Sequence, residues 1–145
     1  MKKETVSSSN FTALMICLGY MLTMLISAGG IALWPVYIVV LLLFTWLYNG
    51  ILSPAGAFVT YHLHADTLKI THVLTRQTNQ YALQGDVHLY LYPALIPHLV
   101  ISNVAIASKR DAKKLIRRKE VGCVTLWGKL RAALASYEKH ATRLS

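Results

Sequence analysis

Charged residues are missing from a long part of this sequence. After Glu4 there is no Asp, Glu, Lys or Arg until Asp66, although the chain of 145 residues carries 15 Lys and Arg and a formal net charge of +9. A soluble domain of this size has no need for such a stretch, because its surface requires polar residues. The composition therefore indicates a membrane protein with room for one small additional domain.

Cysteine and acidic residues are also scarce. The two cysteines, Cys17 and Cys123, are not accompanied by any Cys or His ligand spacing, so neither a disulfide framework nor a structural zinc site is indicated. The six acidic residues form no paired-carboxylate pattern, and no G-x-S-x-G, P-loop or H-E-x-x-H motif is present. We therefore predict that the protein is not an enzyme and uses no cofactor or metal.

Two apolar segments, residues 11–28 and 31–49, fill the uncharged stretch. At 1.5 Å per residue a helix over either segment is roughly 27 Å long, close to the ~30 Å hydrocarbon core of a bilayer. The sequence between them leaves room only for a tight reversal, so we predict two transmembrane helices in a hairpin. Trp34, Trp46 and Tyr48 lie near the segment ends, where aromatic rings favour the headgroup region.

The first apolar segment has an alternative interpretation as a cleaved signal peptide, because Lys2 and Lys3 precede it. Glu4, the length of the segment and the second segment close behind it argue against cleavage. Residues 1–10 are therefore predicted to form a cytoplasmic N-terminal tail, and the positive residues before and after the hairpin place both termini in the cytoplasm.

Residues 57–145 are predicted to form a cytoplasmic domain that begins with β-strands. Apolar and polar residues alternate in FVTYHLH and LKITHVLT, and the Ala-Asp-Thr turn between them favours a hairpin. Further short strands are predicted at 81–83, 87–92, 98–101 and 103–107. Together they would form one small antiparallel sheet of about five or six strands.

Helical spacing follows the strands. A basic helix is predicted with Asp111 in its first turn and an end at about Lys119. Its apolar stripe consists of Ala112, Leu115 and Ile116. A longer amphipathic helix is predicted after Gly122. Its apolar residues recur at steps of three and four: Val124, Trp127, Leu130, Leu134 and Tyr137. We expect Trp127, the one tryptophan outside the apolar segments, to anchor this helix on the sheet.

The order of these features resembles the bacterial PH-like domains found behind transmembrane hairpins. The resemblance spans roughly residues 58–118 and rests on Tyr61-x-Leu63, Leu68-x-Ile70, Arg76, Tyr81-x-Leu83 and the segment PALIPHLVISNVAIAS before a helix. It implies a curved sheet capped by a helix and used for binding. The predicted fold class is a membrane α+β protein, with an N-terminal transmembrane helical hairpin, a small antiparallel PH-like β-sheet and C-terminal helices.

A run of positive residues is the strongest candidate for a contact site. It surrounds a single acid and comprises Lys109, Arg110, Lys113, Lys114, Arg117, Arg118 and Lys119. Four interpretations stay open: a solvated helix face, contact with an anionic leaflet, contact with an acidic partner protein, and nucleic acid. The last is the weakest, because no stacking aromatic residues or reading helix accompany the run.

Three histidines also invite a functional interpretation. His62, His64 and His72 lie on two strands that are predicted to pair, so a metal site is one possibility. We favour polar, half-exposed strand residues, because no Cys or carboxylate completes a ligand set.

These features favour a non-enzymatic protein of the bacterial inner membrane. Lipids would contact residues 11–49, and the cytoplasmic domain would bind a partner protein or the anionic leaflet, with no specific nucleic acid. An alternative is an entry-exclusion or superinfection-exclusion protein of a conjugative plasmid or phage. A holin-like pore former is a further alternative, although the strand-rich part exceeds what a pore needs.

Membrane topology provides the first test. Reporter fusions at Ser145 and at Gly30 should report the cytoplasm and the periplasm respectively, because Lys2 and Lys3 resist translocation and the reversal carries no competing charge. A periplasmic signal from the Ser145 fusion would contradict the predicted orientation.

Overall fold

The computed structural model describes residues 5–52 and 54–144 and begins with a strand and two long helices. They are β1 (Thr5–Ser9), α1 (Asn10–Gly29) and, after a short 3-10 turn, α2 (Trp34–Ile51). Both helices are long and apolar enough to cross a membrane, and only 6% of an 18-residue apolar stretch in each is buried. The predicted helical pair is confirmed. Leu14 and Tyr37 are buried, and most of the other large apolar side chains of the pair are left without protein cover.

The reversal between α1 and α2 depends on two glycines. Gly30 has φ +74°, and its N–H donates to the carbonyl of Ile26 at 2.9 Å. The Tyr37 hydroxyl donates to the Gly30 carbonyl at 2.7 Å, and a Cβ atom at Gly29 would lie only 2.5 Å from that hydroxyl oxygen. Side chains at these positions would disturb the tight turn that was predicted.

The first sheet contains the predicted hairpin. Strands β2 (Val59–His64) and β3 (Thr67–His72) pair antiparallel through a two-residue turn, and β4 (Gln77–Ala82) pairs with β3. The strand predicted at 81–83 is therefore the end of a longer strand. Apolar residues of β2 and β3 face inward, as the alternation predicts.

Strand β1 forms the outer edge of this sheet and corrects the prediction of a tail over residues 1–10. It pairs antiparallel with β2 from Thr5 opposite His64 to Ser9 opposite Thr60. Asn10 begins α1, and residues 1–4, including Lys2 and Lys3, lie outside the described residues. Because β1 precedes α1 and β2 follows α2, both ends of the helical hairpin meet at one sheet.

The described strands form two sheets, whereas a single sheet was predicted. The second sheet follows the first along the chain. It has the order β7-β6-β5-β8, formed by β5 (His88–Tyr92), β6 (His98–Ser102), β7 (Gly122–Thr125) and β8 (Thr142–Arg143). Residues 103–107 were predicted to be a strand but form a turn and coil. There the Ser102 hydroxyl donates to the Val104 carbonyl at 2.7 Å, and the Ile106 N–H donates to the Tyr90 hydroxyl at 3.0 Å.

Three short helices complete the domain: α3 (Lys109–Arg117), α4 (Gly128–Ala133) and α5 (Ala135–His140). The prediction of one long helix after Gly122 is wrong at its start, because residues 122–125 form β7. Trp127 caps α4 instead of lying within a helix, and it is half-buried. Leu130 and Leu134 are fully buried, so leucines occupy the place expected for the tryptophan.

Two apolar layers hold the domain together. The first lies between the sheets and includes Tyr61, Leu68, Leu99 and Leu130. The second covers the opposite face of the second sheet, where residues of β5, β6 and β7 pack against α3. The basic helix is therefore part of the fold and has one outward face.

The packing predicts which residue of the C-terminal part matters most for stability. Leu130→Ala should lower the free energy of unfolding by about 2–5 kcal/mol, because Leu130 is fully buried in the layer between the sheets. Trp127→Ala should cost less, and Lys129→Ala on the exposed side of α4 should change stability by less than about 0.5 kcal/mol.

The measurement is urea unfolding of the full chain in micelles, because a fragment that starts after the helices would lack β1. A larger loss for Trp127→Ala than for Leu130→Ala would restore Trp127 as the anchor.

Candidate functional site: the basic helix beside the end of the hairpin

Helix α3 begins at Lys109, after the N-cap residue Ser108, and has Asp111 in its first turn as predicted. The Ser108 hydroxyl accepts the N–H of Asp111 at 3.3 Å, and Asp111 adds an acid to the first turn. Lys114 and Arg117 lie in the last turn, where positive charge complements the helix dipole. The sequence thus specifies both ends of this helix locally.

The apolar stripe of α3 determines where its charges point. Ala112 is fully buried, and Leu115 and Ile116 are half-buried against the second sheet, as predicted. The five exposed cations form a surface that we call the cationic face: Arg110, Lys113, Lys114, Arg117 and Arg118. Five of the seven candidate contact residues therefore share one exposed surface.

The other two candidates are held inward. The Lys109 ammonium lies 4.9 Å from the centre of the Tyr92 ring, a cation–π contact. The Lys119 ammonium donates to the Thr75 hydroxyl at 3.3 Å and to the Gln77 side-chain oxygen at 3.2 Å. These two lysines have protein partners, unlike the cationic face.

No acidic side chain neutralises the cationic face within residues 5–52 and 54–144. The ion pair found there joins Arg131 to Glu138 at 3.6 Å, between α4 and α5. Asp111 on α3 is itself exposed and lies in no ion pair of the described chain. The cationic face therefore presents uncompensated positive charge to its surroundings.

The cationic face lies beside the chain as it leaves the apolar hairpin. Lys113, Ile116 and Arg117 line a shallow depression of about 150 Å³ together with Pro54, which is three residues beyond the end of α2. Ala55 also packs against the apolar layer under α3. Positive charge and the end of an apolar helix are thus adjacent.

Two exposed leucines lie near the same end of α2. Leu95 is 78% exposed and lines an apolar depression with Trp46, Leu47 and Ile51. Leu74, which is 71% exposed, lies in the turn between β3 and β4. Large apolar side chains with this exposure suit contact with a lipid surface or a partner.

The three histidines are not brought together. His62 and His64 lie on one face of β2, where they are hydrogen-bonded to Ser7 and Thr5 of β1. His72 pairs with Val59 and therefore lies on the opposite, inward face. Among the described residues no group of three His, Cys, Asp or Glu side chains is placed to hold a metal ion.

A buried polar network joins the hairpin to the domain and was not predicted. The Asn10 amide donates to the Gly56 carbonyl and to the Thr125 hydroxyl, both at 3.1 Å, and the Tyr61 hydroxyl lies 3.3 Å from that of Thr125. His98 Nε2 lies 2.9 Å from the carbonyl of Leu52 at the end of α2. The polar Asn10 immediately before the apolar run was the available signal.

Comparison of the chain with protein-family models, with curated proteins and with solved structures found no match. The resemblance to bacterial PH-like domains therefore stays a prediction, and the function of the site has to be argued from its own geometry.

Two inward histidines predict a pH dependence of stability. Burial lowers the pKa of His98, although its bond to Leu52 opposes the shift, and burial together with the Lys119 cation lowers the pKa of His72. Between the folded and unfolded pKa values the unfolded chain binds more protons. The contribution of these two histidines to stability is therefore complete above the pKa of the unfolded chain, about 6.5. It is lost as the pH falls through the pKa values of the folded chain.

We expect the full chain in micelles to melt at a lower temperature at about pH 5 than at about pH 7. His98→Gln keeps a donor for the Leu52 carbonyl but cannot titrate in this range, so it should reduce the difference. His88→Gln, at an exposed position, is the control. An undiminished pH difference in His98→Gln would exclude His98 as a source.

Proposed function

We propose that this is a non-enzymatic, membrane-anchored protein whose cationic face binds the anionic cytoplasmic leaflet beside its own anchor. In this proposal α1 and α2 span the bacterial inner membrane, and both termini lie in the cytoplasm. The observation that carries the proposal is the position of Lys113 and Arg117 next to Pro54, just beyond α2.

Insertion of the hairpin is supported by the exposure of its side chains. Ile16, Leu42 and Trp46 are each more than 60% exposed, at 68%, 65% and 71%. In water these surfaces would be costly, whereas lipid tails cover them without a protein partner. The pairing of β1 with β2 brings both ends of the hairpin to one sheet, as two antiparallel spans require.

Lipid contact follows from the placement of the charge. If α2 spans the bilayer, Pro54 lies at the depth of the headgroups, and so do the neighbouring Lys113 and Arg117. Each Lys or Arg near an anionic surface gains on the order of 1 kcal/mol. The exposed Leu74 and Leu95 near the same end of α2 suit the boundary between headgroups and acyl chains better than they suit water.

Selective enrichment of anionic lipid around the protein tests this proposal. The full chain carries a fluorophore on Glu120→Cys in a Cys17→Ser background, with the buried Cys123 left in place. Nanodiscs contain nitroxide-labelled phosphatidylglycerol or phosphatidylcholine at equal fractions. We expect stronger quenching by phosphatidylglycerol, because the cationic face attracts it. The preference should weaken as salt rises, since exposed charges are screened within about 8 Å at 0.15 M.

A charge-matched pair of variants separates local from general electrostatics. Replacing Lys113, Lys114, Arg117 and Arg118 with Gln should abolish the preference for phosphatidylglycerol. The control replaces four exposed cations elsewhere, namely Lys69, Lys129, Lys139 and Arg143. An equal loss in both variants, or a preference that survives the α3 changes, would refute leaflet binding by the cationic face and favour a partner protein.

A further inference from the structure

A cavity of about 320 Å³ lies where α2 ends, and none of the residues of the cationic face lines it. Its wall includes Asn49 of α2, Gly56 of the connection to β2, His72 of β3, Thr75 of the following turn and Lys119 after α3. Its volume is at the lower end of the range of small-molecule sites. Five parts of the chain therefore meet around one space.

Lys119 occupies a backbone conformation that favours glycine. It has φ +59° and follows the last turn of α3, where its N–H donates to the Ile116 carbonyl and the N–H of Glu120 donates to the Leu115 carbonyl. This pair of bonds ends many helices, usually with Gly at the left-handed position. A lysine at this position strains the backbone locally, but it directs its ammonium to the cavity.

The charge of Lys119 is left uncompensated. Its ammonium bonds two neutral oxygens, those of Thr75 and Gln77, and it has a third N–H to donate. None of the described residues that line the cavity is acidic. A second, smaller cavity of about 170 Å³ shares Lys119 and His72 and adds Arg117, so two cations lie around these neighbouring cavities.

Neutral side chains add further hydrogen-bond donors at the cavity. The side-chain oxygen of Asn49 accepts the Ala57 N–H at 3.0 Å, which leaves the amide nitrogen of Asn49 as a donor. Burial and the Lys119 cation together lower the pKa of His72, an effect that a bound anion would reverse.

We propose that this cavity binds the phosphate of an anionic phospholipid headgroup, with Lys119 as the principal cation and Asn49 and His72 as further donors. The inference rests on the proposed function, because only a spanning α2 places the cavity at headgroup depth. The exposed Leu74 at its wall would lie towards the acyl chains. Free phosphate has the same chemistry as this headgroup, so the test must separate the two sources.

The His72 imidazole reports binding directly. Its resonances are followed by NMR in the full chain in micelles, during addition of dihexanoyl phosphatidylglycerol, dihexanoyl phosphatidylcholine or inorganic phosphate. We expect saturable shifts and a raised pKa of His72 with phosphatidylglycerol, and weaker effects with the other two. Lys119→Gln should raise the Kd for phosphatidylglycerol roughly 10-fold to 100-fold, through loss of one charge-assisted hydrogen bond.

Lys119→Gly separates binding from stability. It should weaken binding as Lys119→Gln does while leaving the melting temperature unchanged or raised, because glycine suits the left-handed position. Arg76→Gly is the matched control: Arg76 also has positive φ, at +58°, and is a cation outside the cavity lining. It should leave the Kd unchanged.

Each outcome decides the inference. Equal response to inorganic phosphate and phosphatidylglycerol would overturn the lipid source, and no response of His72 to any of the three would overturn the site itself. Equal loss of binding in Arg76→Gly and Lys119→Gly would show that binding depends on net charge and not on a specific contact with Lys119. The α3 variant with four Gln retains Lys119 and every other residue that lines the cavity of about 320 Å³, so failure of leaflet binding by the cationic face is measured independently of failure of this site.

Discussion

Strand β1 constrains the rest of the structure because it is joined covalently to α1 and by hydrogen bonds to β2. Its pairing from Thr5 to Ser9 fixes the start of α1 against the strand that follows α2. Asn10 then adds buried bonds to the Gly56 carbonyl and to Thr125. A buried amide that lost these partners would be costly, so the hairpin and the two sheets depend on one another. The two helices are therefore part of the folding unit.

The positive charges on α3 destabilise the helix that carries them. Lys113 and Arg117, and likewise Lys114 and Arg118, are four residues apart, a spacing at which like charges repel and destabilise a helix by a few tenths of a kcal/mol. Packing of Ala112, Leu115 and Ile116 on the second sheet overcomes this repulsion. An anionic surface would relieve it, whereas water only screens it.

Local patterns were sufficient for some elements and insufficient for others. The apolar helices, the β2–β3 hairpin and α3 follow from hydropathy, alternation and capping, so they could be predicted. Strand β7 could not, because all four of its residues are buried and show no alternation, while Val124, Leu130 and Leu134 imitate a helical stripe. Likewise β1 is short and rich in serine, and only its pairing with β2 identifies it as a strand.

The candidate site shows the same division. Helical spacing in the sequence already places the five residues of the cationic face on one side of a helix. It does not show that Lys109 and Lys119 turn towards Tyr92 and Thr75. The position of the face beside Pro54 depends on contacts between segments some sixty residues apart, which no local pattern encodes. The inward direction of His72, by contrast, follows from the alternation of β3, which places it on the same face as the buried Leu68 and Ile70.

The rigid connection between hairpin and domain has a consequence for affinity. A domain on a flexible linker would sample many orientations and would lose that freedom on contact with lipid. Here β1, Asn10 and the bond from His98 to the Leu52 carbonyl hold the domain against the end of the hairpin. If α1 and α2 insert as proposed, α3 faces the leaflet without further reorientation. Weak individual attractions can then act together, because most of the orientational entropy has been lost during folding.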